Sequence, residues 1–161
     1  MTVIAWDGKN LVADKQATDS CGLKGTVTKI ERFDFHYEDE TVEEVLVGVC
    51  GDFCTSAALL QWFKDGANPE EFPPLDPDRR ASLVAISKEQ GIRLYTAGPY
   101  PMLFEDKTGA WGSGRDFALA AMHLGHDALK AVEVACLFNV DCGNGTDVLG
   151  FSDIRSTDTK H

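Results

Sequence analysis

Thr2-Val3-Ile4-Ala5-Trp6-Asp7-Gly8-Lys9-Asn10-Leu11-Val12-Ala13-Asp14 opens the chain, and its reading decides the fold. Two short runs, Thr2 to Trp6 and Leu11 to Ala13, flank Asp7-Gly8, a dipeptide that supplies the positive φ values of a tight hairpin turn. Directly after Met1 the chain therefore reads as a β-hairpin whose first residue is a threonine.

Outward from this hairpin, Val27 to His36 sets Ile30, Phe33 and Phe35 among charged neighbours and reads as a strand. An acidic tip, Glu38-Asp39-Glu40, separates it from a partner strand, Glu43 to Val49. Gly51-Asp52 then precedes Phe53, Ala57, Leu60 and Phe63, an apolar spacing that turns on a helix ending near Gly66, with Asp52 placed to cap its first amides. Pro69, Pro73, Pro74 and Pro77 make Asn68 to Arg80 a surface loop without regular structure. Strands follow at Ser82 to Ser87 and Arg93 to Ala97, joined at Glu89-Gln90-Gly91. Beyond Gly112-Ser113-Gly114 come two helical runs, Phe117 to Leu124 and Asp127 to Phe138, the second carrying Leu129, Val132 and Cys136 on one face. Val148 to Phe151 reads as a last strand and Ser152 to His161 as a polar tail. This order suits two sheets packed face to face with helices outside, in a single domain over residues 1–161.

Composition narrows the function classes. A formal charge of −11 and a pI near 4.6 argue against a nucleic-acid partner, which needs a basic face. No apolar run approaches the ~20 residues that cross a bilayer, and the N-terminus lacks the basic start and apolar middle of a secretory signal. A soluble, cytoplasmic protein with no membrane partner is expected. The five cysteines, Cys21, Cys50, Cys54, Cys136 and Cys142, form an odd set without a CxxC and fit reduced thiols. His123 and His126 stand three apart without a third ligand at suitable spacing, so no metal site is expected. Gly112-Ser113-Gly114 and Gly143-Asn144-Gly145 lack the pattern of a phosphate loop, and Trp6, Trp62 and Trp111 are scattered as core aromatics are.

Chemistry can start at Thr2. A hydroxyl is a poor nucleophile at neutral pH and needs a base to take its proton. Removal of Met1 would leave Thr2 with a free α-amine in reach of its own hydroxyl, and a nearby cation would favour the neutral amine that acts as base.

Five segments appear in order: Thr2-Val3-Ile4, Ala13-Asp14-Lys15-Gln16-Ala17-Thr18, Lys29-Ile30, Gly48-Val49-Cys50-Gly51-Asp52 and Gly112-Ser113-Gly114. Together they resemble the proteasome β-subunits and their bacterial HslV-type relatives. The resemblance runs from Thr2 to about Phe151, and the Gln in Asp14-Lys15-Gln16-Ala17-Thr18 brings it closer to the HslV type. It implies an α+β fold, the four-layer αββα sandwich of the N-terminal nucleophile hydrolases. It implies a threonine endopeptidase with Thr2 as nucleophile, Asp14 and Lys29 as its acidic and basic partners, Gly48 as the amide facing the oxyanion, and Ser113 as a relay to the amine. Leu46 and Val49 would line an apolar pocket for the residue before the cleaved bond. No cofactor is implied. Unfolded polypeptide or peptide would be the substrate, copies of the chain would close into rings, and a separate ATP-dependent unfoldase would be the partner. After the last helix the family usually shows an acidic residue three positions before a serine. Here Asn139-Val140-Asp141-Cys142-Gly143 puts Asn139 in place of the acid and Cys142 in place of the serine, unless Asp141 takes over through a shifted turn. Two alternatives stay open: a catalytically silent ring or binding protein, and an amide hydrolase of small molecules.

Overall fold

The computed structural model describes residues 2–152; Met1 and most of the expected polar tail lie outside the described residues. The opening hairpin is present as β1, Val3–Trp6, and β2, Asn10–Asp14, paired antiparallel with Trp6 opposite Leu11. Gly8 takes a φ of 94°, and Asp7 Oδ1 accepts from the Lys9 and Asn10 amides at 2.9 and 2.8 Å, an Asx turn that closes the connection. A short ribbon follows, β3 at Gln16–Thr18 and β4 at Lys24–Thr26, which has too few apolar residues to show in the sequence.

Strands β5, Ile30–His36, and β6, Val42–Gly51, form the second hairpin. Helix α1, Phe53–Lys64, starts where expected, with the Asp52 carboxylate accepting from the Thr55 amide at 2.9 Å. The proline-rich segment carries one 3-10 turn, Pro69–Glu71, entered through an Asn68 cap. Then come β7, Ala81–Ser87; β8, Gly91–Tyr95; β9, Met102–Phe104; and β10, Gly109–Gly112. The last two were not foreseen, being short or glycine-flanked. Helix α2 covers Arg115–His123, starting two residues earlier than the apolar pattern suggests, and α3 covers Ala128–Phe138 behind an Asp127 cap. Strand β11, Thr146–Gly150, closes the described order.

The fold is α+β. One sheet has the order β10-β1-β2-β11 and the other β5-β6-β7-β8-β9, with neighbours antiparallel. Strand alternation divides the apolar side chains between three cores. Val3, Ala5 and Val12 pack against the alanine faces of α2 and α3. Ile4, Trp6, Leu11 and Ala13 point the other way, into a core with Leu46, Val84, Ile86 and Ile92 of the second sheet. The outer face of that sheet, Val45, Val47, Leu83 and Ala85, meets Leu59, Trp62 and Phe63 of α1.

Strand alternation assigns the faces of β5, and one expectation, the buried face of α3, is corrected. Ile30 lies in the core between the sheets, whereas Phe33 and Phe35 pack on the α1 side, because an odd separation along a strand reverses the face. On α3 the buried face is Ala128, Ala131, Val132 and Ala135, and Leu129 is left partly exposed. Small residues let the helix approach the sheet closely, so the leucine is not needed there.

Candidate active site

Thr2 immediately precedes β1 and is 5% exposed. Its nitrogen donates to Ser113 Oγ at 3.2 Å, and its carbonyl accepts from the Gly114 amide at 3.1 Å and from Ser113 Oγ at 3.3 Å. This clasp depends on glycine at position 112, whose φ is 91° and where a Cβ would fall 2.1 Å from the Thr2 carbonyl oxygen. Gly114, not Ser113, is the N-cap residue of α2, and it makes no side-chain cap bond. The Ser113 hydroxyl is thereby released from helix capping and turned to Thr2.

Asp14 ends β2 and is fully buried. Four donors converge on its carboxylate. Oδ1 accepts from Lys29 Nζ at 2.8 Å and the Val3 amide at 3.0 Å, and Oδ2 accepts from the Gly143 amide at 3.0 Å and the Gln16 amide at 3.2 Å. A buried charge needs this degree of pairing to offset its desolvation. Because one oxygen holds both Lys29 and the residue after Thr2, the ammonium is tied to the start of β1. Lys29 is itself 8% exposed, and its carbonyl accepts from the Val49 amide at 3.0 Å.

Thr2, Lys29, Val49, Cys50, Gly51 and Gln16 line one groove of about 550 Å³. Burial pushes the Cys50 thiol up from its ordinary pKa.

Leu46 and Gly48 are not among the residues lining this groove. Leu46 is fully buried between the sheets, away from the groove. A Cβ at Gly48 would come within 2.9 Å of Ile4 Cδ1 and 3.2 Å of Ile30 Cγ2, so this glycine makes room for the core. Its amide is also misdirected. The Val49 amide points to β5, and alternation turns that of Gly48 to the opposite side, where Val84 of β7 stands. Gly51 is the glycine that sequence reasoning passed over. Two residues beyond Val49, its amide shares the direction of Val49's amide, past the end of β5 and toward the groove. Its φ of 107° and a would-be Cβ 2.4 Å from the Arg80 carbonyl oxygen both demand glycine. The Gly51-Asp52 pair was visible, but only as the start of a helix.

The turn after α3 forms the other wall. Asn139 is the C-cap of α3, its side chain accepts from the Asp141 amide at 3.0 Å, and its carbonyl accepts from the Cys142 amide at 3.1 Å. Cys142 is buried next to Ser113, Gly114 and Ala135. Burial, with the Asp14 charge, pushes its thiol up to about 11. Neither Asn139 nor Asp141 reaches Asp14 through its side chain among the described hydrogen bonds; the turn delivers the Gly143 amide instead. Gln16, 4% exposed, pins this turn by donating to the Val140 carbonyl at 3.0 Å as well as to Thr18 Oγ1 at 3.2 Å. Sequence reasoning noticed Gln16 only as a family mark.

No family model and no curated protein matches the sequence. Solved structures do. Eukaryotic HslV from Trypanosoma brucei superposes with a TM-score of 0.64 at 22% identity, over 92% of this chain and 97% of that one. The fold is of the HslV, proteasome-like type. Other structures with this HslV-type fold are the Thiobacillus denitrificans BPH in complex with epoxomicin, at TM-score 0.60 and 18% identity over 94% and 99% of the two chains, and the Anbu (Gly-1) mutant from Hyphomicrobium sp. strain MC1, at 0.63 and 10% over 94% and 82%. What these chains share at such identities is the fold.

Proposed function

We propose that this chain is a threonine-type endopeptidase, one domain with the four-layer αββα sandwich of the N-terminal nucleophile hydrolases. The helix, sheet, sheet, helix order of its three cores supports the architecture. The observation that carries the activity is Ser113 Oγ at 3.2 Å from the Thr2 nitrogen, beside the buried Asp14–Lys29 pair at a groove of about 550 Å³.

Once Met1 is removed, that nitrogen is a free α-amine. Thr2 Oγ adds to the scissile carbonyl carbon while the amine takes its proton, with Ser113 Oγ as relay. Lys29 favours the neutral amine and the developing alkoxide through its positive charge, and Asp14 holds it in place. The Gly51 amide donates to the oxyanion, a contribution of roughly 3 to 4 kcal/mol in the transition state. Collapse expels the amine product with the proton and leaves an ester on Thr2 Oγ. Water then attacks that ester, the α-amine takes the water's proton and returns it to Thr2 Oγ, and the acid product leaves. The likeness to HslV extends the reading to unfolded polypeptide as substrate, a ring of identical copies that encloses the sites, delivery by an ATP-dependent unfoldase, and a cytoplasmic setting.

The test is Thr2→Ala on fluorogenic peptides and an unfolded protein, alongside intact mass of the wild type. A loss of roughly ten-thousand-fold in kcat/KM, with Met1 absent from the active material, is expected. Unchanged hydrolysis in Thr2→Ala would sink the mechanism. Asn139 and Cys142, where the family has an acid and a serine, favour a second reading as a catalytically silent ring protein. That reading predicts retained Met1 and no adduct when the wild type is incubated with epoxomicin.

A further inference from the structure

The groove does not end at Thr2. Thr28, Lys29, Val49 and Leu60 wall both this groove and a smaller cavity of about 160 Å³ under it, completed by Ile30, Glu31, Val47 and Gly48. The cavity therefore adjoins the Thr2 groove along these four residues, between the start of β5, the middle of β6 and α1.

Its walls are the aliphatic side chains of Val47, Val49 and Leu60, and its ionisable wall residue besides the Asp14-bound Lys29 is Glu31. Glu31 Oε1 pairs with Lys64 Nζ at 2.5 Å, but Lys64, which also lies over the Phe33 ring, is not part of the wall. A carboxylate has two oxygens and can accept from two ammonium groups at once. The larger groove adds Asp19 and Asp52 to the same sign of charge, while its lining cation, Lys29, is held by Asp14.

At about 160 Å³ the cavity has room for an unbranched side chain. Four aliphatic carbons ending in an ammonium group match both the volume and the chemistry. We infer that this cavity receives the side chain before the cleaved bond and selects lysine there, with Glu31 as the specificity-determining residue. This rests on the peptidase reading above and replaces the apolar preference that Leu46 and Val49 suggest. Arginine, larger by two heavy atoms, fits less well. Lys64 moderates the selection by competing for the same carboxylate.

The experiment measures kcat/KM on acetyl-Ala-Ala-X-aminomethylcoumarin with X as Lys, Leu or Glu, for wild type, Glu31→Gln and Lys64→Met. The wild type should prefer Lys over Leu by at least about tenfold, as a charge-assisted contact in a confined site allows. Glu31→Gln should remove that preference and leave Leu cleavage within about twofold. Lys64→Met should increase it. Equal loss on every peptide in Glu31→Gln, or a wild-type preference for Leu or Glu, would overturn the inference. In parallel, the Thr2→Ala protein is titrated with dye-labelled Ala-Ala-Lys, Ala-Ala-Leu and Ala-Ala-Glu peptides bearing C-terminal amides. Selective binding of the Lys peptide without cleavage by the wild type would overturn the peptidase and keep the selectivity. Cleavage without selectivity would do the reverse, and an absence of cleavage together with unselective binding or no binding would overturn both.

Discussion

The two walls around Thr2 are built from different materials. On one side Asp14 and Lys29 make a buried ion pair between strand ends, 0% and 8% exposed. On the other, the turn from Asn139 to Gly143 contributes a backbone amide to the same carboxylate and a thiol beside Ser113. The first wall depends on the identity of two charged side chains. The second depends on the path of the backbone, which Gln16 and Asn139 hold. The difference teaches that one carboxylate organises both: each of its oxygens serves a different wall.

If so, the largest effect belongs to Asp14→Ala. It removes the carboxylate that holds Lys29 and frees both walls, and should cost about 3 to 5 kcal/mol in urea unfolding. A loss under about 1 kcal/mol would break the comparison, because the turn would then hold itself. Gln16→Ala acts on the second wall alone. Releasing the Val140 carbonyl should cost about 1 to 2 kcal/mol and lower kcat while Lys29 stays paired. In the double mutant the two losses should add to less than their sum, since Gly143 can leave Asp14 only once.

The smallest effect concerns pH. The Cys142 thiol has its folded pKa raised from about 9 to about 11, so the folded state favours the protonated form. Stability from this group is fully present below the unfolded value and is lost as pH rises from about 9 toward 11. Cys136, raised likewise, adds to the same slope. Thermal melts across that range should fall, and Cys142→Ser should make the fall shallower. A steeper fall in Cys142→Ser would mean that the turn, not the thiol, titrates the fold.

Much of this was legible in the sequence where local rules operate. The hairpin around Asp7-Gly8, the cap at Asp52, the start of α3 at Asp127 and the long-range set Thr2, Asp14, Lys29 and Ser113 all follow from turn chemistry, periodicity and a family pattern. Strands β9 and β10 escaped because short segments carry too little periodicity, and the Leu129 face escaped because alanine packing has no hydrophobic signature of its own.

What the sequence determined by itself is which chemical groups are available: a threonine able to become N-terminal, a carboxylate and an ammonium fifteen positions apart, and a serine between glycines. Only the tertiary structure decided which way the backbone amides point. It moved the glycine that serves the groove from Gly48 to Gly51, sent Leu46 into the core, and placed Gly143 on Asp14. The physical reason is that an amide carries no residue-specific label. Its direction follows from strand alternation and register, which exist only once the strands have paired.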